Sequence, residues 1–245
     1  MIKHNLLLFL RNIKKNRTTF LINIIGMATG LASVLFITIW AMDELSVDRF
    51  HKKGDRLVQI LQNLPTPNGI ETDDATQSPL AGALSNAFPE IEESATVLHN
   101  SWFEGEKFLL SDGGEQFFNS AIQFASTNYF NIFSFPLVYG NPDEALMHIN
   151  SVVISEGMAK KLFQTTNAVG KTVECLHDEF GGNYTVAGVF RKLPKNSSEK
   201  FDAVFNFEAL AAYDDDFREW SNSDTHTYAL LAEGTNLVAF NTKIK

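Results

Sequence analysis

The sequence predicts an α+β protein: one N-terminal transmembrane helix followed by a mixed α/β extracytoplasmic domain. Three observations lead there. Residues 20–42 contain no charged side chain, basic residues gather before that run and acidic ones after it, and from residue 57 onward short β-rich segments alternate with helical ones.

The run FLINIIGMATGLASVLFITIWAM, Phe20 to Met42, is 23 residues long. As a helix rising ~1.5 Å per residue it reaches about 35 Å, enough to cross a hydrocarbon layer of ~30 Å with modest tilt. A cleaved secretory signal would have an apolar core of about 7–15 residues and a small-residue cleavage site. This run is longer and Ala41-Met42-Asp43 is a poor site, so residues 19–42 read as an uncleaved anchor. A buried soluble helix seldom stays apolar on every face over such a length.

Charge sets the direction. The first 42 residues hold Lys3, Arg11, Lys14, Lys15 and Arg17 and no acid, which leaves 15 basic against 29 acidic residues after them. The positive-inside bias puts the N-terminus in the cytoplasm and residues 43–245 outside. In the juxtamembrane segment, residues 1–18, the positions Ile2, Leu6, Phe9, Leu10 and Ile13 recur at helical spacing, the pattern of a short amphipathic helix on the inner leaflet. Within the span, Gly26 and Gly30 form G-x-x-x-G, and Ala28 and Ala32 repeat the spacing. Small residues one turn apart let a second helix approach, which makes these four candidate helix-packing positions, although chance also produces the pattern in apolar segments. Asn23, Thr29, Ser33 and Thr38 are expected to bond to their own helix backbone or to a neighbouring helix.

The outer segment reads element by element. LVQILQNL (57–64) predicts a strand ended by the turn at Pro65 to Gly69, and Pro79 starts a helix with Leu80, Leu84, Ala87 and Phe88 on one face until Pro89. SATVLHN (94–100) completes a strand, helix, strand unit. KFLLS and QFFNS flank Asp112-Gly113-Gly114-Glu115 as a hairpin, where a label at Ser111 is expected to react from outside. IQFAS leads to the short aromatic helix YFNIF. SVVIS (151–155) predicts a buried strand followed by a helix through Met158 to Phe163. Residues 171–176 pair with NYTVAGVF (183–190) across Gly181-Gly182. THTYALLAE (225–233) is a last strand and Asn236 begins a helix. The third element of that final unit is missing: either the sheet closes differently or the chain stops before its domain does.

Composition excludes several functions. With 44% apolar residues and 29 aromatics the chain builds a real core, and its net charge of -9 speaks against a general nucleic-acid binder. One cysteine, Cys175, rules out an intrachain disulfide framework and a Cys-rich zinc site. Gly170-Lys171-Thr172 resembles the tail of a phosphate loop, but Thr165 stands where that motif needs its first Gly. No H-E-x-x-H or G-x-S-x-G pattern occurs. His177, Asp178 and Glu179 read as a solvated loop, and Asp214-Asp215-Asp216 as a solvated acidic face. No catalytic residue, metal or cofactor site is assigned. The 18 Phe residues after position 42 are explained by core packing more simply than by a groove for a lipophilic ligand.

Several segments in order carry a resemblance: RNIKKNRTTFLINIIGMATGLA, DELSVDRFHKKGDRLVQI, FPEIEESATV, NYFNIFSFPLVYGNPDEAL, NSVVISEGMAKKLF, VGKTV, YTVAGVFRKLPKNSSEKFDAVFNF and THTYALL. Together they resemble the MacB-type periplasmic core domain of FtsX-like ABC transporter permeases, from residue 11 to about residue 233. The resemblance implies a noncatalytic permease subunit in a bacterial inner (plasma) membrane that couples ATP-driven helix motion to its outer domain for export or extrusion of a substrate. It implies as partners a separate ABC ATPase, a second permease copy or homologue, membrane lipid and a periplasmic adaptor. It also implies a βαβ porter-like subdomain, from residues 57–100 and the incomplete unit 225–245, with an inserted β-rich lobe between. The sequence departs from the pattern at Gln164, where a Gly is usual, and in ending at Lys245, before the last strand and three later spans; it therefore reads as an N-terminal part. The alternative is a single-pass receptor or accessory binding domain, and a membrane-anchored hydrolase is the weakest of the three readings.

Overall fold

The computed structural model describes residues 11, 13–103, 105–178 and 180–244. The chain divides into two compact units, Met1–Val47 and Asp48–Lys245. In the first, helix α1 (Arg17–Glu44) has 28 residues and a length of about 42 Å at ~1.5 Å per residue. Its side chains are apolar all round and unburied, with Phe36 73% and Trp40 66% exposed. Such a surface needs lipid or another apolar helix around it. The hydroxyls bond back to their own helix as expected: Thr29 donates to Ile25 O at 2.9 Å, Ser33 to Thr29 O at 2.9 Å and Thr38 to Val34 O at 2.8 Å. Gly26 and Gly30 face open space, where an added Cβ would meet no atom within 4 Å beyond the surrounding helix backbone. The predicted stripe at Ile2, Leu6, Phe9 and Leu10 lies outside the described residues.

The second unit opens with β1 (Leu57–Ile60), β2 (Gln62–Thr66) and β3 (Gly69–Asp73), then α2 (Leu80–Ala87) and β4 (Ile91–Leu98). The strand predicted over 57–64 is thus two strands. Beyond Leu61 the chain leaves the main sheet, and β2 pairs with β3 across a tight turn in the register Thr66↔Gly69. Pro65 is tolerated there because both members of a two-stranded hairpin are edge strands. The middle of the chain forms β5 (Phe108–Ser111), β6 (Phe118–Ser120), β7 (Ile122–Ala125), α3 (Tyr129–Ile132) and β8 (Leu137–Tyr139). There follow β9 (Ser151–Ser155), α4 (Glu156–Phe163), β10 (Thr172–Leu176), β11 (Gly182–Phe190), β12 (Ala203–Asn206), α5 (Phe207–Tyr213), β13 (His226–Leu231) and α6 (Leu237–Lys243).

Eleven strands make one sheet in the order β1-β13-β4-β7-β12-β9-β11-β10-β5-β6, with β8 also on β11. At one end, β13 lies antiparallel between β1 and β4, which are joined by α2: a split strand, helix, strand unit. Helices α2 and α6 cover one face of it, Leu84 and Phe240 packing with Ile60, Ile91, Ala229 and Leu231. The β-rich middle of the chain continues the same sheet. Two residue pairs between β4 and β7, Val97↔Ala125 and Leu98↔Phe124, carry the sheet across. Beyond them the sheet is covered on both faces. On β9, Val152 and Ile154 enter one core cluster with Phe124, Phe205 and Met158, whereas Val153 enters a second with Tyr129, Phe135 and Phe190. That alternation is the two-residue period of a strand, and the Phe side chains that fill both clusters support the packing explanation of their abundance.

Two expectations are corrected. Ser111 is fully buried at the end of β5 and bonds to Gly114 O in the turn, so no label reaches it. His177 is not solvated: its ring stacks on Phe108 at 4.3 Å and on Phe180 at 5.1 Å, and Nε2 lies 2.9 Å from Glu106 Oε2. A flat ring between two phenyl groups loses less by burial than by exposure. Asp178 is exposed, and Glu179 lies outside the described residues. The Asp214–Asp216 run stays at the surface, where Asp214 caps a short turn by accepting from Asp216 N at 3.0 Å and Asp215 pairs with Arg218 at 2.8 Å.

Candidate functional site

The outer unit begins at Asp48, and its first residues are tied down by two distant loops. Asp48 has a left-handed backbone, φ 56°, a conformation that Asp tolerates better than most residues. Its N–H donates to Asn196 O at 2.9 Å, and its Oδ1 accepts from Ser198 N at 2.9 Å. Three residues on, His51 Nδ1 accepts from Ser134 N at 3.1 Å, Lys52 N donates to Ser134 Oγ at 2.9 Å and Lys53 Nζ donates to Asn131 O at 3.0 Å. An imidazole nitrogen that accepts carries no proton, so His51 is held neutral with its proton on Nε2. Burial lowers its pKa, against the opposing pull of the Asp48 carboxylate. The loop beneath is itself braced: Lys200 Nζ donates to Ser197 O at 2.6 Å and to Lys195 O at 3.1 Å.

These contacts enclose a cavity of about 280 Å³. Asp48, His51 and Ser197 to Glu199 form part of its wall, and the rings of Tyr129, Phe133, Phe135 and Tyr228 form much of the rest. The rings touch one another, Tyr129 with Phe133 at 4.8 Å and Phe133 with Tyr228 at 5.0 Å between centroids. Just past β4, His99 Nε2 lies 3.0 Å from the Tyr228 hydroxyl and its Nδ1 lies 3.1 Å from Glu199 Oε2. Burial raises the pKa of the Tyr228 hydroxyl, and the negative charges of Glu199, Asp74 and Asp48 raise it further. Tyr129, fully buried, accepts from Gln123 Nε2 at 2.6 Å and is likewise pushed well up by burial.

None of these residues was singled out as a site from the sequence. Four of the segments that carry the resemblance nevertheless meet here: 43–60 through Asp48 and His51, 128–146 through Tyr129 and Phe135, 184–207 through Ser197 and Glu199, and 225–231 through Tyr228. The residues singled out earlier lie elsewhere: Gly26, Ala28, Gly30 and Ala32 on α1, and Cys175 buried as a free thiol in β10 with its pKa pushed up to about 12 by burial. Among the described residues no group of three His, Cys, Asp or Glu side chains is placed to hold a metal ion.

The model of the MacB-like periplasmic core domain matches residues 20–245. The chain belongs to this family. Membership makes the outer unit a permease-type periplasmic domain of an ABC transporter, anchored in a membrane and placed outside the cytoplasm. A crystal structure described as a domain of a permease protein from Porphyromonas gingivalis shares the fold at TM-score 0.63 and 20% identity, over 79% of this chain and 82% of that one. The periplasmic region of MacB from Actinobacillus actinomycetemcomitans aligns at TM-score 0.49 and 15% identity, over 70% of this chain and 72% of that one. The extracellular domain of the noncanonical ABC-type transporter YknZ from Gram-positive bacteria aligns at 0.49 and 14%, over 73% and 84%. No curated protein sequence matches the chain.

Proposed function

We propose that this MacB-like chain is the N-terminal part of a noncatalytic permease subunit that couples movement of its membrane helix, driven by a separate ABC ATPase, to the outer domain. The supporting observation is the set of ties at residues 48–53. Only three residues, Leu45 to Val47, intervene between the end of α1 and Asp48, and from Asp48 onward the backbone is bonded to the loops at 131–134 and 194–200. Residues 48–53 are thereby fixed to two loops of the outer unit, which supports passing a displacement of residue 48 into that unit. The N-terminus is cytoplasmic in this proposal. A second permease copy or homologue pairs with α1 through its small residues, either on the face of Gly26 and Gly30 or on the opposite face of Ala28 and Ala32, and a periplasmic adaptor and lipid complete the assembly.

Among the described residues strand β1 pairs only with β13 and ends the sheet, and an apolar groove of about 490 Å³ is lined by Val58 and Ile60 of β1 with Leu237, Phe240 and Ile244. A strand antiparallel to β1 would fill it. The coupling is tested by isolating the chain from native membranes with its ATPase and measuring spin-label distances in the outer domain. Turnover should change those distances in the wild type and leave them unchanged in Asp48→Ala. Failure to co-purify any ATPase, or distances indifferent to ATP, would refute the coupling. A receptor or accessory binding domain is the second reading, and the enclosed aromatic cavity is the observation that favours it.

A further inference from the structure

The cavity beside Asp48 has features that packing alone does not explain. Two polar atoms on its wall are buried without a hydrogen-bond partner among the described residues: Ser197 Oγ, on a residue 5% exposed, and His99 Nδ1, on a residue 7% exposed. The 3.1 Å approach of His99 Nδ1 to Glu199 lacks the alignment of a hydrogen bond. Buried polar atoms in folded proteins are nearly always paired, so two unpaired ones on residues that line the same cavity set this corner apart from ordinary core packing.

The chemistry of the wall selects the guest. Asp48 and Glu199 supply two carboxylates, while His51 is held neutral by the Ser134 N–H bonded to its Nδ1. Tyr129, Phe133, Phe135 and Tyr228 add electron-rich rings. Carboxylates repel an anion, and a neutral guest could bond to them but would leave their negative charge unmatched. A bare metal ion would need a tighter cluster of ligands than is present among the described residues. A cation with an organic surface satisfies both parts of the wall at once, its charge facing the carboxylates and its methyl or methylene groups facing the rings. The volume, about 280 Å³, lies at the small end of ligand sites and suits a group of headgroup size.

We propose that this cavity binds an organic ammonium group, carried either by a small soluble amine or by a lipid headgroup. The site does not depend on the coupling reading, because binding is measured without an ATPase. The probe is choline, titrated calorimetrically into the full chain held in phosphatidylglycerol nanodiscs, with 3,3-dimethylbutan-1-ol as its uncharged isostere. Choline should bind saturably at or below about 1 mM, and the alcohol at least ~10-fold more weakly, since only the cation meets the carboxylates and ring faces. Glu199→Gln, a substitution at a partly exposed side chain, should weaken choline by about tenfold and leave the alcohol unchanged. Phe133→Leu gives an independent variant with the same direction. Repeating the titration in phosphatidylcholine nanodiscs separates the sources: a tenfold weaker apparent affinity shows headgroups competing for the cavity, and an unchanged affinity assigns it to a soluble amine; either keeps the proposal. Absence of saturable choline binding in folded protein, equal binding of the alcohol, or indifference to both substitutions would overturn it.

Discussion

The carboxylate of Asp48 accepts the backbone N–H of Ser198 at 2.9 Å across 150 residues of sequence, while the Asp48 backbone holds a left-handed φ of 56°. The bond is local in space and remote in sequence. It closes the first residues of the outer unit onto the loop before β12, and the unfavourable backbone persists because its N–H is held at the same time by Asn196 O.

Removing the carboxylate should therefore loosen this corner without disturbing the core. Asp48→Ala is expected to lower stability by about 1–2 kcal/mol, a charged hydrogen bond discounted for partial exposure, with additional cost from Ala at positive φ. Asp48→Asn should retain most of the stability, because its amide oxygen still accepts and Asn tolerates the left-handed region. Denaturant midpoints of the three proteins, with hydrogen exchange at Ser198 N, give the order wild type, Asn, Ala; an Ala variant as stable as Asn would show that the bond contributes little.

Acid should weaken the outer unit through two histidines. His51 and His226 both have pKa values lowered from 6.5, chiefly by burial, and for His226 also by the neighbouring His99. Groups facing His226 pull the other way: Asp74, Glu199 and Asp73. With the folded value below the unfolded one, stability is full above pH 6.5, where both states are neutral. It falls as pH drops from that value toward the folded pKa, because the unfolded chain takes up protons that the folded chain refuses. His226→Gln should flatten this part of the profile. Melting temperatures of both proteins between pH 8 and 5 should converge at the acid end; parallel curves would assign the acid sensitivity elsewhere.

Gln164 follows α4 as a left-handed cap with φ 57°, its N–H bonded to Lys160 O. That is the position where a helix end most often uses glycine, and where the family resemblance expected one. Gln164→Gly should stabilise by about 0.5–1 kcal/mol, the left-handed strain relieved minus the added freedom of the unfolded glycine. Gly140 is the converse case. At φ 96° an added Cβ would lie 2.5 Å from Ala187 O and 2.8 Å from Gly188 Cα, so Gly140→Ala should displace β8 from β11 and destabilise by several-fold more than Gln164→Gly stabilises. Thermal melts of the two variants check both signs.

What the sequence disclosed follows from the range over which each feature is encoded. Elements bounded by their own turn residues were legible: α2 between Pro79 and Pro89, the β5–β6 hairpin around Gly113, and β10–β11 before Asn183. The break after Ile60 was not, because LVQILQNL keeps an unbroken strand pattern while the change of partner, from β13 to β3, occurs in space. Nor was the sheet order, in which β12 lies between β7 and β9 and joins them only through long-range pairing. The cavity was invisible for the same reason. Its wall takes Asp48, Tyr129, Glu199 and Tyr228 from four separate segments, and each alone reads as an ordinary loop acid or core ring.

The glycine face of α1 predicts association in the membrane. Apart from the surrounding helix backbone, Gly26 and Gly30 have no atom within 4 Å of an added Cβ, so enlarging them leaves the helix itself intact. Replacing both with Leu should reduce self-association in a bilayer at least several-fold if close backbone approach drives pairing, as small-residue faces do. Energy-transfer measurements on labelled chains at varied lipid ratio read this directly, and unchanged association would assign the pairing to another face.

Topology can be read from the β5–β6 turn. The native thiol of Cys175 is buried, and its pKa, pushed up to about 12, leaves almost no thiolate near neutrality, so it stays silent toward maleimides. Ser111 is equally hidden, but Asp112 is exposed one residue further on. Asp112→Cys should therefore react in intact cells with a reagent that does not cross the inner membrane. The outcome depends only on which side of the membrane residues 48–244 occupy, because the position is open in the folded unit. Labelling from outside places the outer unit opposite the basic N-terminus, as the charge split requires. Protection in intact cells with labelling after lysis would reverse the orientation, and with it any mechanism that relies on an ATPase meeting the N-terminal side of α1.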